Sequence, residues 1–347
     1  MARKRVLVVG LGNMGMSHAM AYTRIPGFEV VGVCERRIAK RELPPALKSA
    51  AKFDNFEHAL VELKPDVVSI NTLPDTHAPF AIKAMEAGSH VFVEKPLADN
   101  AINAERVVET AKRTGKKLVI GYILRHHPSW IKFIEIARQL GAPLVFRMNL
   151  NQQSNGETWA WHKRLMDSFP PIVDCGVHYV DVMCQMTKAK PIRVHAIGAR
   201  LTDEVKQQNY GMLQVIFDDG SVGWYEAGWG PMMSETAFFV KDVIGPKGSV
   251  SIVMAETASN VKSDDINAHT KTNQILWHHA DMSKPDERID MTDEPDHDAL
   301  CEREQRYLLK AIEENLDLTD HMNDGVKSLK IVLAADRSIH EGQVVNL

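Results

Sequence analysis

The sequence has few features that would set the protein apart from ordinary globular proteins. Its four cysteines form neither a CxxC pair nor the spacing of a metal finger, which excludes a disulfide-stapled scaffold and suits a reducing compartment. No apolar run approaches the length that crosses a bilayer, and only four apolar residues separate Arg5 from Gly10, too few for a signal peptide. We therefore expect a cytoplasmic protein.

An excess of charge of either sign is also missing. The 347 residues include 41 basic and 45 acidic side chains, so the formal net charge is −4. A balance so close to neutral gives no reason to expect nucleic acid or a membrane surface as a partner. Internal repeats and low-complexity tracts are absent from the sequence, and its length favours two domains over one large domain.

The most informative stretch runs from Val6 to Gly15 and reads VLVVGLGNMG. Its apolar half is short and ends at a glycine, which is typical of a buried parallel strand. Gly10, Gly12 and Gly15 follow the G-x-G-x-x-G spacing, in which the first permits a tight turn, the second lets a pyrophosphate approach the backbone, and the third lets a helix pack against the strand. The pattern predicts dinucleotide binding, with an ordinary strand-turn-helix as the alternative.

The residues after this turn predict how a dinucleotide is held. A helix that begins near Asn13 would direct free N–H groups at a phosphate. Glu35 ends a second apolar run, Glu29 to Cys34, about 20 residues after Gly15, where a carboxylate accepts hydrogen bonds from a ribose diol. This position favours NAD. Arg36 is expected to lie on the adenine face, and a contact with the 2′-phosphate of NADP is the alternative.

Strand and helix patterns alternate as far as Gly121, which predicts βαβ units, a parallel sheet and an α/β fold. Further strands are expected at Asp66 to Asn71, His90 to Glu94 and Lys117 to Gly121. Thr72 to His77 should form a loop that opens a helix at Ala78. Residues 1–123 are therefore assigned to a Rossmann domain. Because ligands bind beyond the carboxyl ends of parallel strands, one edge should hold Gly10, Glu35, Thr72, Glu94 and Gly121.

Beyond Gly121 the pattern changes. Consecutive extended segments joined by tight turns, with Asp219-Gly220 among them, favour an open, mostly antiparallel sheet. Residues 124–347 are therefore expected to form an α+β domain. A polar and aromatic loop from Gln152 to Pro171 precedes a helix from Asp174 to Met186. A closing helix at about 325–341 is expected to pack back on the first domain.

Two short motifs carry candidate chemistry. Glu94-Lys95-Pro96 directly follows a strand, and a lysine in a partly desolvated cleft can hold or protonate a developing oxyanion; a solvated charge is the alternative. In Asp174-Cys-Gly-Val-His178 a carboxylate and an imidazole lie four residues apart, on one face of the predicted helix. A histidine with a carboxylate neighbour is a common general base near neutral pH, and a histidine satisfied within the core is the alternative.

The remaining aromatic and imidazole side chains give weaker predictions. Trp159 and Trp161 precede the candidate catalytic helix, where they could stack on a sugar ring or pack between subunits. The pairs His126-His127 and His278-His279 lack a further ligand at metal spacing. No metal site is therefore expected.

Together these motifs resemble one family. The ordered set GLGNMG, Glu35, EKP at Glu94 to Pro96, Arg125-x-x-Pro128 and DCGVH followed by Asp181 is similar to that of the Gfo/Idh/MocA oxidoreductases, over essentially the whole chain. The resemblance implies a Rossmann domain followed by a domain whose open sheet commonly forms the oligomer interface. Two departures are present: Cys175 stands where glycine is frequent, and Leu73-Pro74-Asp75 stands where Thr-Pro-Asn is usual.

The resemblance also implies roles for individual residues. The catalytic set is matched by Lys95, Asp174 and His178. The cofactor contacts that it implies are Gly10, Gly12, Asn13, Met14, Gly15, Glu35, Arg36, Thr72, Leu73, Pro74, His77, Glu94 and Lys95. The substrate contacts that it implies are Lys95, Arg125, Trp159, Trp161, His162, Asp174 and His178.

The sequence therefore predicts an oxidoreductase that uses NAD, with NADP as the alternative, to interconvert a secondary alcohol and a ketone. The expected substrate is a small sugar, sugar derivative or cyclic polyol such as an inositol. A homodimer or homotetramer is expected, built through an apolar and aromatic outward face of the C-terminal sheet that includes Trp224, Tyr225 and Trp229. Two alternatives are a reductase of another carbonyl or dihydrodiol, and a regulator that binds the dinucleotide without turnover.

Overall fold

The computed structural model describes residues 2–236, 239–254, 262–265, 272–292 and 294–347. The chain divides into two compact units. The first comprises Met1–Ile123 with Asp298–Val326, and the second comprises Leu124–His297 with Lys327–Leu347. Among the described residues, no helix has the length and apolar character needed to span a membrane.

The first unit contains a six-stranded sheet in which every paired strand is parallel. Its strands are β1 (Lys4–Val9), β2 (Phe28–Cys34), β3 (Ala51–Phe53), β4 (Val67–Ile70), β5 (His90–Val93) and β6 (Leu118–Ile120). Its first helices are α1 (Asn13–Arg24), α2 (Phe56–Leu63), α3 (Pro74–Glu86) and α4 (Ala101–Thr114). The strand order β3-β2-β1-β4-β5-β6 confirms the predicted Rossmann fold. Successive strands are added to one side of β1 as far as β3 and to its other side from β4 onward, and such sheets bind ligands at this switch point between β1 and β4.

Two local predictions for this unit need correction. Helix α3 begins at Pro74 rather than Ala78, because proline suits the first helical position, where its missing N–H would have no partner anyway. Strand β3 was not predicted; it is only three residues long, and a segment that short gives no periodic signal.

The second unit contains a nine-stranded sheet. Its helices are α5 (Pro128–Ala137), α6 (Gly156–Leu165), α7 (Pro171–Asp174) and α8 (Gly176–Thr187). Its strands are β7 (Val145–Gln153), β8 (Pro191–Ala199), β9 (Tyr210–Phe217), β10 (Val222–Gly230), β11 (Lys241–Gly245), β12 (Gly248–Val253), β13 (Gln274–His279), β14 (Glu287–Asp290) and β15 (Val345–Asn346). The order is β14-β13-β12-β11-β7-β10-β9-β8-β15, and among the described strands only β7 and β10 pair in parallel, which confirms the mostly antiparallel prediction.

The nine-stranded sheet has two different faces, because successive side chains of a strand point in opposite directions. On one face Tyr225 is buried and stacks on Tyr179 of α8, with ring centroids 4.7 Å apart. On the other face Val145, Val222 and Ile244 are 38 to 39% exposed. The expectation that Trp224, Tyr225 and Trp229 share the outward face is therefore wrong for Tyr225 and Trp229, which are buried.

The chain closes with α9 (His297–Glu313) and α10 (Thr319–Glu341). Helix α9 belongs to the first unit except for its first residue, His297. Helix α10 begins in the first unit and belongs to the second unit from Lys327 onward. This division differs from the expected assignment of 124–347 to one domain and of 325–341 to the surface of the other. The packing explains it: Gly325 lies against Ile120 of β6, and the Ser338 hydroxyl accepts a hydrogen bond from the backbone N–H of Ala196, at 2.9 Å.

Candidate functional site

The glycine turn after β1 has the geometry that its sequence predicts. Gly10 has φ +80°, and a Cβ on it would lie 2.5 Å from the carbonyl oxygen of Asn71. A Cβ on Gly15 would overlap the carbonyl oxygen of Gly10. Neither position therefore tolerates a side chain, since one needs a left-handed backbone and the other needs close contact between helix and strand.

Gly12 differs, because the space around it is open. A Cβ there would meet no atom of the described residues within 4 Å. Gly12 caps the N-terminus of α1 without a side-chain hydrogen bond, so the backbone N–H groups of Asn13 and Met14 stay available to a ligand. An open cradle at a helix N-terminus, at the switch point of the sheet, fits the pyrophosphate of a dinucleotide.

Glu35 lies directly after β2, at the same edge of the sheet, and its carboxylate already has a partner. Arg41 donates a hydrogen bond from its guanidinium to Oε2 of Glu35, and both side chains are partly exposed. Arg36 is exposed. A ribose diol would therefore meet a carboxylate with a cation beside it, which the sequence did not predict.

The loop after β4 is braced internally. The hydroxyl of Thr76 donates to the hydroxyl of Thr72 at 2.6 Å, and Leu73 is 37% exposed immediately before Pro74 begins α3. The two ring nitrogens of the buried His77 lie 2.7 Å from the carbonyl oxygen of Pro96 and 3.0 Å from that of Thr72. His77 thus joins the loops after β4 and β5, and burial lowers its pKa.

Glu94 and Lys95 follow β5. Glu94 is 6% exposed, and its Oε1 lies 2.8 Å from Nε2 of His18 on α1. The backbone N–H of Lys95 donates to the other carboxylate oxygen of Glu94 at 3.1 Å, and Lys95 is half-buried. The Glu94 carboxylate therefore fixes the backbone from which the Lys95 side chain extends.

Asp174 and His178 occupy the second unit. The predicted single helix is two helical segments, α7 ending at Asp174 and α8 beginning at Gly176, with Cys175 between them at φ −81° and ψ −38°. Because these angles are helical, residues four apart still lie on one face. From Pro171 to Val182 only Asp174 and His178 are not buried. The structure thus presents both side chains from one otherwise buried segment.

Arg125 is committed to an ion pair. Its Nε and Nη2 atoms donate to the two carboxylate oxygens of Asp181 at 2.8 and 2.5 Å, and Asp181 is 1% exposed. This two-pronged contact joins the turn after β6 to α8 and orients the guanidinium. A contact between Arg125 and a substrate stays a prediction.

The three aromatic residues proposed to bind substrate lie in α6 rather than in the expected loop, and only one is well exposed. Trp159 is buried beside Glu204, with Nε1 3.4 Å from a carboxylate oxygen. His162 is buried and stacks on Trp229, with ring centroids 4.3 Å apart. Trp161 is 38% exposed, with Arg164 over its ring at 5.3 Å. Of these rings, Trp161 is the one with a surface available for stacking.

The family model described as "Oxidoreductase family, NAD-binding Rossmann fold" matches residues 4–122. The model of the GFO/IDH/MocA C-terminal domain matches residues 136–251. The chain belongs to the Gfo/Idh/MocA family. Its first unit is accordingly an NAD-binding Rossmann domain, as the resemblance implied.

Within the Gfo/Idh/MocA family, named relatives show what this chain is similar to. UDP-N-acetylglucosamine 3-dehydrogenase of Acidithiobacillus ferrooxidans is 30% identical over 59% of the chain, a stretch that spans 61% of that relative's length. scyllo-Inositol 2-dehydrogenase (NAD(+)) of Bacillus subtilis is 28% identical over 72% of the chain and 73% of the relative. The crystal structure of scyllo-inositol dehydrogenase from Lactobacillus casei, with bound NAD(H) and scyllo-inositol, superposes with a TM-score of 0.74 over 99% of both chains at 18% identity, and so shows the shared fold.

Sequence reasoning missed two residues at this site. Arg41 lies six residues after Glu35, where the chain has no periodic pattern to predict its direction. His18 follows Gly15 by three residues on α1, and this spacing alone indicates that it shares a face with the glycine turn. Its contact with Glu94, 76 residues away, depends on the fold.

Proposed function

We propose that this protein is an NAD-dependent oxidoreductase that interconverts a secondary alcohol and a ketone on a sugar, sugar derivative or cyclic polyol. The observation that carries the proposal is that relatives named as dehydrogenases of an inositol or a sugar nucleotide match this chain. It is supported by Lys95, Asp174 and His178, which match the catalytic set that the motif resemblance implies.

In the proposed oxidation, His178 accepts the proton of the substrate hydroxyl. Asp174, one helical turn earlier, stabilises the imidazolium that forms. Lys95 holds the oxygen as negative charge develops on it. Bound NAD supplies the hydride acceptor. In reduction the same groups act in reverse, so His178 returns the proton.

The cofactor proposal is NAD in preference to NADP. A carboxylate at Glu35 accepts the ribose hydroxyls and repels a 2′-phosphate. Arg41 neutralises part of that repulsion because it pairs with the same carboxylate. We therefore propose a preference for NAD that Arg41 keeps moderate.

The partner proposal is a second copy of this chain, bound through the outward face of the nine-stranded sheet. Ile244, Val145, Val222 and Ile216 are neighbours in successive strands and form an apolar row across that face. A cavity of about 530 Å³ lies beside the row and is lined in part by Arg147, Arg193, His195 and Trp224. An apolar row of this kind is a typical centre for an interface. Dimer and tetramer are both compatible with this surface.

The location proposal is the cytoplasm. All four cysteines are free and buried. Free thiols persist in a reducing compartment. Reaction of the folded and unfolded protein with a thiol reagent after extraction from cells would test it, and any disulfide would contradict it.

The test of function is a screen for NADH formation. Purified protein would be incubated with NAD and one candidate substrate at a time: myo-inositol, scyllo-inositol, methyl glucosides, UDP-N-acetylglucosamine and free aldoses. A Gly15→Val variant, which cannot form the glycine turn, is the control for contaminating dehydrogenases. NADH formation with one ring-polyol class by the wild type alone supports the proposal. Oxidation of NADH by an unrelated carbonyl, with no NADH formed from any of these substrates, would favour the reductase alternative, and NAD binding without any turnover would favour the regulator.

A further inference from the structure

A cluster of polar side chains is buried inside the first unit, behind the turn that carries Lys95. It comprises His18 from α1, Glu94 from the end of β5, and Cys301, Glu304 and Gln305 from α9. All five are buried, and His18, Cys301 and Gln305 are 0% exposed. A buried charge is costly unless it is paired or hydrogen-bonded. The hydrogen bonds of this cluster therefore indicate which of its side chains is ionised.

The hydrogen bonds assign the negative charge to Glu94. The Gln305 amide nitrogen lies 2.9 Å from Nδ1 of His18, so the amide donates to this atom and the ring proton sits on Nε2. Nε2 is then the donor to Oε1 of Glu94 at 2.8 Å, while the Lys95 backbone N–H donates to Oε2. A carboxylate that accepts two such hydrogen bonds is stabilised in its ionised form.

Glu304 has the opposite surroundings. It is 1% exposed, and neither of its carboxylate oxygens has a hydrogen-bond partner among the residues that the structure describes. The charged group that acts on it is Glu94, of like sign, and burial together with this repulsion raises its pKa well above the usual range. The titratable groups packed around it are His18 and Tyr22 of α1, Glu94 of the β5 turn and Cys301 of its own helix.

We propose that Glu304 is a positioning residue that keeps its proton in the folded protein, so that Glu94 carries the only negative charge of the cluster and holds the Lys95 backbone. An ionised Glu304 would be a second buried negative charge without a hydrogen-bond donor among the described residues, and it would repel the Glu94 carboxylate. The neutral acid removes that conflict. The part of the inference that concerns Lys95 rests on the proposed function.

A bound metal ion is the competing explanation of the same cluster. Ligand atoms of His18, Cys301 and Glu304 lie within 4.8 Å of one another. However, both ring nitrogens of His18 lie within hydrogen-bond distance of Glu94 or Gln305, which leaves the ring no lone pair for a metal in this arrangement. Proton retention explains the cluster without moving these side chains.

The first experiment compares thermal unfolding of three proteins between about pH 5 and pH 9: the wild type, Glu304→Gln and Glu302→Gln. Glu304 has a raised pKa in the folded state, so its stabilising effect is full below the unfolded pKa and is lost as the pH rises. Glutamine mimics the neutral acid. The melting temperature of Glu304→Gln should therefore be higher than that of the wild type at alkaline pH, by roughly 2–4 °C, and the two should become similar near pH 5.

Glu302 is the matched control because it lies on the same helix with the opposite electrostatics. Its ion pairs with Arg24 and Arg306, at 2.9 and 2.6 Å, lower its pKa. Its contribution is therefore present above the unfolded pKa and is lost as the pH falls. Glu302→Gln should melt below the wild type at neutral and alkaline pH, with the difference disappearing in acid, which is the reverse of Glu304→Gln.

The second experiment measures positioning through NADH affinity and turnover per folded molecule. Glu304→Ala should lower kcat about tenfold with an unchanged Kd for NADH, and Glu304→Gln should restore kcat to within about twofold of wild type. Glu304→Leu supplies a second uncharged variant for unfolding if the glutamine variant does not fold. Wild-type protein without turnover would contradict the proposed function, while the unfolding curves would still decide whether Glu304 keeps its proton.

Two results would overturn the inference. The first is a Glu304→Gln protein that melts below the wild type throughout the pH range and loses as much kcat as Glu304→Ala, since glutamine would then fail to mimic the native group. The second is one equivalent of zinc in the purified wild-type protein, lost with its thermal stability on chelation. Metal-free protein with unchanged unfolding in chelator supports proton retention.

Discussion

The two sheets of the molecule present functional side chains in different ways. In the six-stranded sheet the strands are parallel, and inner strands are buried on both faces, as in β4, where all four residues are buried. The candidate functional residues of this sheet then lie in the loops beyond the strand ends, as Gly10, Glu35 and Glu94 do. In the nine-stranded sheet the candidate groups Asp174 and His178 lie on helical segments, and one sheet face is left partly exposed.

This difference predicts that separate parts of the molecule govern cofactor binding, the chemical step and assembly. Residues at strand ends of the first sheet should govern cofactor affinity and selectivity, whereas the helical segment of the second unit should govern the chemical step. The exposed face of the second sheet should govern assembly. Substitutions that change one of these properties and leave the other two intact would support this division, and substitutions that change all three together would contradict it.

The largest expected effect is on turnover. Lys95→Ala and His178→Ala should each lower kcat by roughly 10² to 10⁴, because each removes a group that is proposed to hold or move charge at the reacting oxygen. The Kd for NAD should stay nearly unchanged. Steady-state kinetics, calorimetric titration with NAD and melting temperatures on the same samples would measure this.

Matched controls are Lys83→Ala and His340→Ala, which remove side chains that are 49 and 58% exposed in the first and second units. Both should retain full turnover. If His178 is instead a core histidine, His178→Ala should lose melting temperature, and its activity should fall only in proportion to folded protein. A His178→Ala protein that melts normally and turns over at the wild-type rate would contradict the proposed base.

An intermediate effect is expected on cofactor selectivity. Arg41→Ala removes the cation beside Glu35, so the carboxylate should repel a 2′-phosphate more strongly. The ratio of NADP affinity to NAD affinity should fall about tenfold, the size of one lost charge-assisted contact. Titration of both cofactors would measure this ratio. The control is Arg24→Ala, which breaks the ion pair between Arg24 of α1 and Glu302 of α9. An unchanged ratio would show that Glu35 alone sets selectivity.

The smallest expected effect on activity is that of the exposed sheet face. Val222→Lys places a charge in the apolar row and should weaken self-association, with NAD affinity within about twofold of wild type. Light scattering at micromolar protein would report the mass. Val61→Lys, at a 72% exposed valine of α2, is the control and should not change the mass. A wild-type protein that is already a monomer would rule out the interface.

The sequence predicted the first sheet well because its signals are local. Val6 to Val9 is a short apolar run. A side chain on Gly10 or Gly15 would clash with neighbouring backbone, whereas the space around Gly12 is open. The cap of α4 was equally local: the side chain of Asn100 accepts from the N–H of Asn103, and Gly115 ends the helix at φ +66°.

The covered face of the second sheet and the burial of α9 depended instead on contacts between distant parts of the chain. Alternation along β10 places Tyr225 and Trp224 on opposite faces, but only the position of α8 decides which face is covered. Glu304 and Gln305 enter the first unit because α9 returns to it, and Gln305 contacts His18 across 287 residues of sequence. Neither contact has a periodic signal, so burial of α9 in the first unit could not be predicted from local patterns.

The central claim is that this chain moves a hydride between a ring carbon that bears a hydroxyl and NAD. The most direct measurement is the mass of the NADH formed from the active substrate carrying deuterium on its ring carbons. If the proposed hydride transfer occurs, the wild type forms NADH that is heavier by one deuterium, and His178→Ala forms it more slowly by roughly 10² or more. Unlabelled NADH, or no reduction of NAD with any ring polyol or sugar tested, would contradict it.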